Sequence, residues 1–166
     1  MKPLPQIWLL SDARNDAVLE RALRQLPRGS GFVFRHYHLA EGDRHARWKV
    51  LARIARARGI AAILSGSARQ ARRWGADGSY GAHREATLAT AHSLRELRRA
   101  ARSRAVLLSP VFPTRSHPGA KALGALRFRL LASRSPVPVI ALGGMSKAAN
   151  RRLKWPRWAA IDAFLR

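Results

Sequence analysis

Two apolar stretches that end in small and polar residues decide the fold of this chain. Residues 109–124 read SPVFPTRSHPGAKALG, and residues 137–145 read VPVIALGGM. The first apolar run leads into a loop of Thr, Ser, His, Gly and Lys, and the second ends at Gly143 and Gly144. Small molecules bind at the carboxyl ends of strands in parallel α/β proteins, and a Gly-Gly pair there lets backbone N–H groups approach an anion. The two stretches therefore predict parallel strands whose ends hold a small anion.

Outside these stretches, short apolar runs alternate with amphipathic segments along the whole chain. This alternation implies parallel strands joined by right-handed helical crossovers. Eight strands favour a closed barrel over an open doubly wound sheet, and no Gly-x-Gly-x-x-Gly follows the first strand to support a dinucleotide fold. The predicted strands are 7–10, 31–38, 60–64, 78–80, 86–91, 105–112, 136–142 and 159–161, and the predicted helices are 16–26, 44–57, 68–74, 94–103, 125–132 and 146–153.

The length of the chain limits what kind of barrel it can form. At 166 residues it corresponds to one domain, 1–166, with enough residues to bury a core. An eight-stranded α/β barrel typically has about 250 residues and rarely fewer than about 200. The fourth and the last helix are nearly absent from the pattern, which accounts for the missing length. We therefore predict an α/β fold of the small, trimmed (βα)8 TIM-barrel type.

The composition excludes several classes of protein. The chain has no Cys, so it offers neither disulfides nor thiolate metal sites. No apolar run approaches the roughly 20 residues of a membrane span, and the amino-terminal MKPLPQIWLL is too short for a secretion signal. The expectation is a cytoplasmic protein with no membrane partner.

The charge of the chain is strongly positive, at +23, with 32 Lys or Arg against 9 Asp or Glu. A basic surface of this kind binds phosphate backbones. Only five of the basic residues are Lys, however, and Arg occurs on every predicted helix without forming a block. This spread is more typical of a biased composition than of a binding face, and no nucleic-acid-binding motif accompanies it. The predicted partner is a small-molecule phosphate, with nucleic acid kept as the less favoured alternative.

The strand-end motifs resemble those of the thiamine phosphate synthase and thiazole tautomerase superfamily. Its members carry a similar Pro-Val-Phe-Pro-Thr loop after the sixth strand and a similar Gly-Gly after the seventh, and the resemblance covers nearly the whole chain in order. It implies a (βα)8 barrel, a role in thiamine biosynthesis, phosphate-bearing substrates and Mg²⁺. In the synthases, Mg²⁺ draws off the diphosphate of a pyrimidine substrate as it is joined to thiazole phosphate.

The resemblance assigns the diphosphate and metal contacts to the second, third and fourth strands. Arg35 matches an Arg that meets the diphosphate, whereas Tyr37 replaces a Lys. Ser65 and Gly66 replace an Asn-Asp pair whose Asp binds Mg²⁺, so Ser65 is a candidate substrate contact and Gly66 supplies no ligand. Glu85 matches a second metal-binding Asp. Mg²⁺ often uses only one or two carboxylates together with substrate phosphates, and we expect weak binding of Mg²⁺ or none.

The resemblance assigns a catalytic residue after the fifth strand. Thr90 and His92 match a Ser-x-His motif, and Thr90 is a candidate substrate contact. In the tautomerase branch, the matching His is the proposed acid and base that moves a proton on thiazole carboxylate phosphate. An imidazole suits this work because its unperturbed pKa lies near neutrality. His92 is therefore the candidate catalytic residue.

The remaining candidates are substrate contacts after the last three strands. Thr114, Ser116 and His117 match a Thr-x-Thr-Lys motif, in which His117 replaces a Lys that contacts the diphosphate. Gly143 and Gly144 match the cradle of the thiazole phosphate. Ile161 and Asp162 stand where the family has Ile-Ser. The carboxylate of Asp162 would repel a phosphate if it pointed at one.

Three functions follow from these matches and departures. The first is a thiamine phosphate synthase, a transferase, with eroded metal and diphosphate contacts. The second is an isomerase of the thiazole tautomerase type that uses His92. The third is a non-catalytic descendant that binds a small anion or a nucleic acid.

Overall fold

The strands close into a barrel. The structure is a computed structural model that describes residues 3–115, 119 and 121–164. Each strand pairs in parallel with the next along the chain, and the last pairs with the first. This confirms the predicted (βα)8 barrel and excludes the open sheet. The strands are β1 Ile7–Leu10, β2 Gly31–Phe34, β3 Ala61–Ser65, β4 Gly78–Gly81, β5 Leu88–Ala91, β6 Ala105–Leu108, β7 Val139–Ala141 and β8 Trp158–Ala160.

The helices lie outside the strands as short crossovers. Within the described residues, no helix is long and apolar enough to cross a membrane. The predicted helix 16–26 is divided into a 3-10 helix, Ala13–Val18, and an α-helix. The α-helices are α1 Leu19–Gln25, α2 Glu41–Ala57, α3 Ala68–Arg73, α4 Leu94–Arg99, α5 Gly124–Ala132 and α6 Lys147–Leu153, and a second 3-10 helix, Ala100–Arg102, follows α4.

Two strands end four residues earlier than the sequence predicts. The strand predicted at 31–38 ends at Phe34, because the backbone of His36 has a φ of 43°, a left-handed conformation that does not continue a strand. The strand predicted at 105–112 ends at Leu108, and Pro110 beyond it has no N–H to donate to a sheet. Both chain segments turn at the same end of the barrel and leave polar side chains there.

Two crossovers are trimmed, as predicted from the length. β4 and β5 are joined by residues 82–87, none of which is helical. Beyond β8, the described residues 161–164 form bends and turns instead of a helix.

The alternation of side chains along the strands separates an inner core from an outer core. On β2, Phe32 and Phe34 face outward and pack with α1 and α2, whereas Val33 faces the barrel interior. Parallel strands place all their carboxyl ends at one edge of the barrel, which we call the rim. The interior is filled by Trp8, Leu10, Val33, Ile63, Tyr80, Leu88, Ala105, Leu107, Ile140, Ala159 and Ile161.

Candidate active site

The predicted site residues follow different strands but meet at the same rim. Arg35 follows β2, His92 follows β5, Gly143 follows β7 and Asp162 lies beyond β8. Because the strands are parallel, their side chains and loops surround one mouth of the barrel.

A chain of charged groups runs along the rim from β8 to β2. The Nη2 atom of Arg35 lies 2.8 Å from Oδ2 of Asp12, and Arg14 Nε lies 3.0 Å from the other oxygen of that carboxylate. Arg14 Nη1 lies 3.6 Å from Oδ2 of Asp162. The charge of Arg35 is therefore offset by Asp12, and that of Asp162 by Arg14. Asp12 and Arg14 were not among the candidate residues, although the polar Ser-Asp-Ala-Arg run directly after the first strand indicates a site there.

The pKa of Asp12 reflects this arrangement. Burial by itself raises the pKa of the Asp12 carboxyl, but the hydrogen bonds and charge of Arg14, together with the charge of Arg35, outweigh it and lower the pKa. Asp12 also accepts a hydrogen bond from the backbone N–H of Arg14, which caps the first 3-10 helix. The carboxylate thus stays ionised and holds both guanidinium groups in place.

A buried relay of hydrogen bonds sets the backbone that carries Arg35. Ser11 Oγ accepts from the backbone N–H of Arg35 at 2.7 Å and lies 2.8 Å from His36 Nδ1. His36 Nε2 lies 2.7 Å from Oδ1 of Asp16. Burial lowers the pKa of His36 against the opposing effect of Asp16. A neutral ring therefore accepts from Ser11 and donates to Asp16, and the completely buried Ser11 hydroxyl serves as a structural link.

Ser65 is linked to β2 by hydrogen bonds. Its hydroxyl bonds to the hydroxyl of Tyr37, and its carbonyl oxygen accepts from Arg44 Nη2 at 2.5 Å. Arg44 Nε donates to the carbonyl oxygen of Arg35 at 2.8 Å. Burial lowers the pKa of Arg44. Arg44 therefore ties the ends of β2 and β3 together, while the ring of Tyr37 stays 68% exposed at the rim.

His92 is exposed at the rim, and one hydrogen bond selects its tautomer. Its Nδ1 atom lies 2.8 Å from the carbonyl oxygen of Ser109, which can only accept, and 3.3 Å from the Ser109 hydroxyl, which is also able to accept. A neutral ring therefore carries its proton on Nδ1 and presents the lone pair of Nε2. The backbone N–H of His92 donates to Oε2 of Glu96 at 2.5 Å, which holds this residue at the start of α4. The geometry suits a proton acceptor.

Gly143 and Gly144 form a loop that side chains could not occupy. Their φ angles are 96° and 61°, both in the left-handed region that favours glycine. A Cβ on Gly143 would lie 2.7 Å from Cα of Pro110, and one on Gly144 would lie 2.6 Å from the carbonyl oxygen of Pro113. Gly143 is buried, yet within the described part of the chain the N–H groups of both glycines donate to no protein acceptor. A buried N–H such as that of Gly143 normally has a partner, and the N–H of the exposed Gly144 is open to a ligand, so this loop is suited to an anion.

The family of the chain follows from its sequence as a whole. A family model described as thiamine monophosphate synthase (TMP-TENI) matches residues 8–154. The chain belongs to the thiamine monophosphate synthase family.

Solved structures similar to this family member share its fold. A thiamine phosphate pyrophosphorylase from Pyrococcus furiosus matches with a TM-score of 0.79 at 20% identity, over 96% of this chain and 86% of that chain. A thiamine phosphate pyrophosphorylase from Bacteroides thetaiotaomicron matches with a TM-score of 0.64 at 12% identity, over 95% and 83% of the two chains. The citrate synthase SbnG matches with a TM-score of 0.63 at 8% identity, over 94% and 85%. None of the curated protein sequences compared with this chain matches it.

Glu85, the candidate metal ligand of this thiamine monophosphate synthase family member, does not lie at the rim. Glu85 leads into β5 and lines a cavity with Arg102 and Arg104, which lie just before β6. It is therefore at the opposite end of the barrel from Gly143. Among the described residues, no group of three or more His, Cys, Asp or Glu is arranged to hold a metal ion. A magnesium ligand at the rim would therefore have to come from a residue other than Glu85.

The other predicted contacts are distributed along the rim or lie outside the described residues. Thr90 is partly buried within β5, and Thr114 is partly buried in the loop after β6. Ile161 is buried, and its carbonyl oxygen accepts from Asn15 Nδ2 at 3.0 Å. Ser116 and His117 lie outside the described residues.

Proposed function

We propose that this protein acts in thiamine biosynthesis as a thiamine phosphate synthase-type transferase that joins thiazole phosphate to a pyrimidine diphosphate. The observation that carries the proposal is the loop at Gly143 and Gly144. Its two N–H groups donate to no acceptor within the described residues, and the resemblance assigns the thiazole phosphate to this loop. The match to the thiamine monophosphate synthase family over residues 8–154 supports the same substrate class.

In this reaction the thiazole nitrogen attacks the methylene carbon of the pyrimidine substrate. The bond from that carbon to the diphosphate oxygen breaks, and pyrophosphate leaves with the electron pair. The loop at Gly143 and Gly144 would hold the thiazole phosphate through backbone donors. Arg35 would contact the diphosphate, but Asp12 competes for the same guanidinium at 2.8 Å. We therefore expect the pyrimidine half of the site to bind more weakly than the thiazole half.

Mixing the protein with both substrates and measuring thiamine phosphate and pyrophosphate by mass spectrometry tests the proposal. Calorimetry with thiazole phosphate alone tests the binding step separately. Asp162→Ser serves as a control, because Arg14 already offsets the Asp162 charge and the pair is exposed; its thiazole phosphate Kd should stay within about twofold of that of the unsubstituted protein. Absence of both product and thiazole phosphate binding would overturn the proposal. A large gain in affinity from Asp162→Ser would mean that Asp162 faces the phosphate.

A tautomerase is the second candidate, and the geometry of His92 favours it. The contact from Nδ1 to the Ser109 carbonyl leaves Nε2 of the neutral ring as a base at the rim. Nε2 would take a proton from thiazole carboxylate phosphate and return it to another atom of the same ring system, with no net loss of protons. Incubation of this substrate in D₂O tests the step, because transfer through His92 would introduce deuterium. His92→Gln should abolish the exchange, whereas exchange that survives this change would exclude His92 as the base.

A further inference from the structure

Two adjoining cavities lie at the amino-terminal end of the barrel, opposite the rim. One, of about 560 Å³, is lined mainly by apolar side chains that include Leu4, Trp8, Ile63 and Leu88; we call it the apolar cavity. The other, of about 540 Å³, has six lining residues, among them Arg84, Arg102 and Arg104; we call it the arginine cavity. Thr87 and Arg104 line both cavities, so the two spaces share a wall.

The apolar cavity forms because the amino-terminal segment is tied beneath the barrel. Trp8 Nε1 donates to the carbonyl oxygen of Pro5 at 3.0 Å, and Leu4 packs against the interior core. The Trp8 ring lies against Gly31, where a Cβ would come within 2.1 Å of it. Because residue 31 has no Cβ, the indole packs against the backbone there, and it also lines the cavity.

The arginine cavity forms where the fourth crossover has lost its helix. Arg84 and Glu85 belong to the helix-free connection 82–87. Arg102 ends the second 3-10 helix, and Arg104 leads into β6, where its backbone N–H donates to Thr87 O at 2.9 Å. The residues that line the arginine cavity carry three guanidinium groups and one carboxylate, that of Glu85, and the apolar cavity adds Arg56 and Asp77, which have opposite charges. The local charge is therefore positive beside an apolar space.

We propose that these cavities form one bipartite binding site for an organic anion. The apolar cavity takes a flat apolar body, and the arginine cavity takes a phosphate, sulfonate or carboxylate group attached to it. Guanidinium groups recognise such groups through paired N–H donors, and an apolar pocket with a few charged groups at one end is the usual form of a small-molecule site. The proposal does not depend on the reaction at the rim.

The fluorescent probe 8-anilinonaphthalene-1-sulfonate tests this site, because it combines a flat apolar body with one sulfonate. Its uncharged relative N-phenyl-1-naphthylamine reports the apolar cavity alone. The test variant is Arg84→Gln with Arg102→Gln, two exposed residues whose replacement leaves the core intact. The matched control is Arg98→Gln with Arg99→Gln, exposed residues of α4 that line neither cavity and remove the same charge.

We expect the test variant to raise the Kd of the sulfonate probe about tenfold and to leave the Kd of the uncharged probe unchanged. The control variant should change neither. Leu4→Ser should weaken the binding of both probes, since it removes part of the apolar wall. Equal effects of the test and control variants would show that diffuse positive charge binds the probe, and no effect of either, or no probe binding at all, would also overturn the proposal. Thiazole phosphate binding at the rim should be the same in all variants.

Discussion

Asp12→Asn should lower the free energy of unfolding and at the same time strengthen diphosphate binding. In the structure, the Asp12 carboxylate lies 2.8 Å from Arg35 and 3.0 Å from Arg14, and the Arg35 side chain is only 16% exposed. Asparagine has nearly the same shape and keeps an oxygen that can accept from the Arg14 backbone N–H, so the cap of the 3-10 helix remains. The substitution thus removes the charge and the acceptor of Arg35 Nη2, because the second oxygen becomes an NH2 group.

The magnitude follows from the charges. Two unit charges 4 Å apart interact by about 4 kcal/mol at an effective dielectric constant of 20, but partial exposure and salt reduce this. Hydrogen bonds to charged groups contribute about 1.5–3 kcal/mol in mutational series, so at this partly exposed site we expect Asp12→Asn to lower the free energy of unfolding by about 1–2 kcal/mol. In Asp12→Asn, the Arg35 guanidinium no longer has to break an ion pair with residue 12 before it binds an anion. The Kd of pyrophosphate should therefore fall roughly tenfold, the equivalent of about 1.4 kcal/mol.

Urea denaturation and titration calorimetry with pyrophosphate measure the two effects. Asp43→Asn is the charge-matched control, because Asp43 is an exposed residue of α2 outside the ion pairs of the described residues. If Asp12→Asn destabilises the protein but its pyrophosphate Kd stays the same or rises, Arg35 is a structural residue and the resemblance misassigns it. If the control improves pyrophosphate binding equally, the gain comes from net charge.

Three further changes test other parts of the structure. Gly143→Ala should lower the free energy of unfolding by about 2–5 kcal/mol, since the φ of residue 143 is 96° and a Cβ there would lie 2.7 Å from Pro110 Cα. A loss below about 1 kcal/mol in urea denaturation would mean that the loop moves to accommodate the side chain. Asn15→Ala should cost about 2–4 kcal/mol, because the buried amide donates to carbonyl oxygens at the ends of β1 and beyond β8, and an unchanged melting temperature would contradict that role. Stability should also fall as the pH drops from 7 to 5, by up to about 1.4 kcal/mol per pH unit, because the lowered pKa of His36 means that the unfolded chain takes up its proton first. His36→Gln should flatten this dependence, and an equally steep profile in that variant would assign it to another group.

The trimmed barrel could be predicted because its signals are local. The strands predicted at 7–10, 86–91 and 105–112 lie between amphipathic segments, and this alternation can be recognised without knowing any long-range contact. The ends of the elements were predicted less well. The strand at 31–38 ends early at Phe34 because of the left-handed backbone at His36, and that conformation depends on hydrogen bonds to Ser11 and Asp16, which are distant in sequence.

The sequence by itself determined that the strands are parallel, and parallel strands place all their carboxyl ends at the same rim. It placed Arg35, His92 and Gly143 there correctly. Only the tertiary structure decided what each of them faces: Arg35 meets Asp12, His92 meets the Ser109 carbonyl, and Gly143 packs under Pro110. The structure also shows that Glu85, predicted at the rim, lies at the opposite end of the barrel. The physical reason is that the alternation of strands and helices makes the strands parallel. The partner of a charged group depends instead on loops that follow other strands and lie at the same rim.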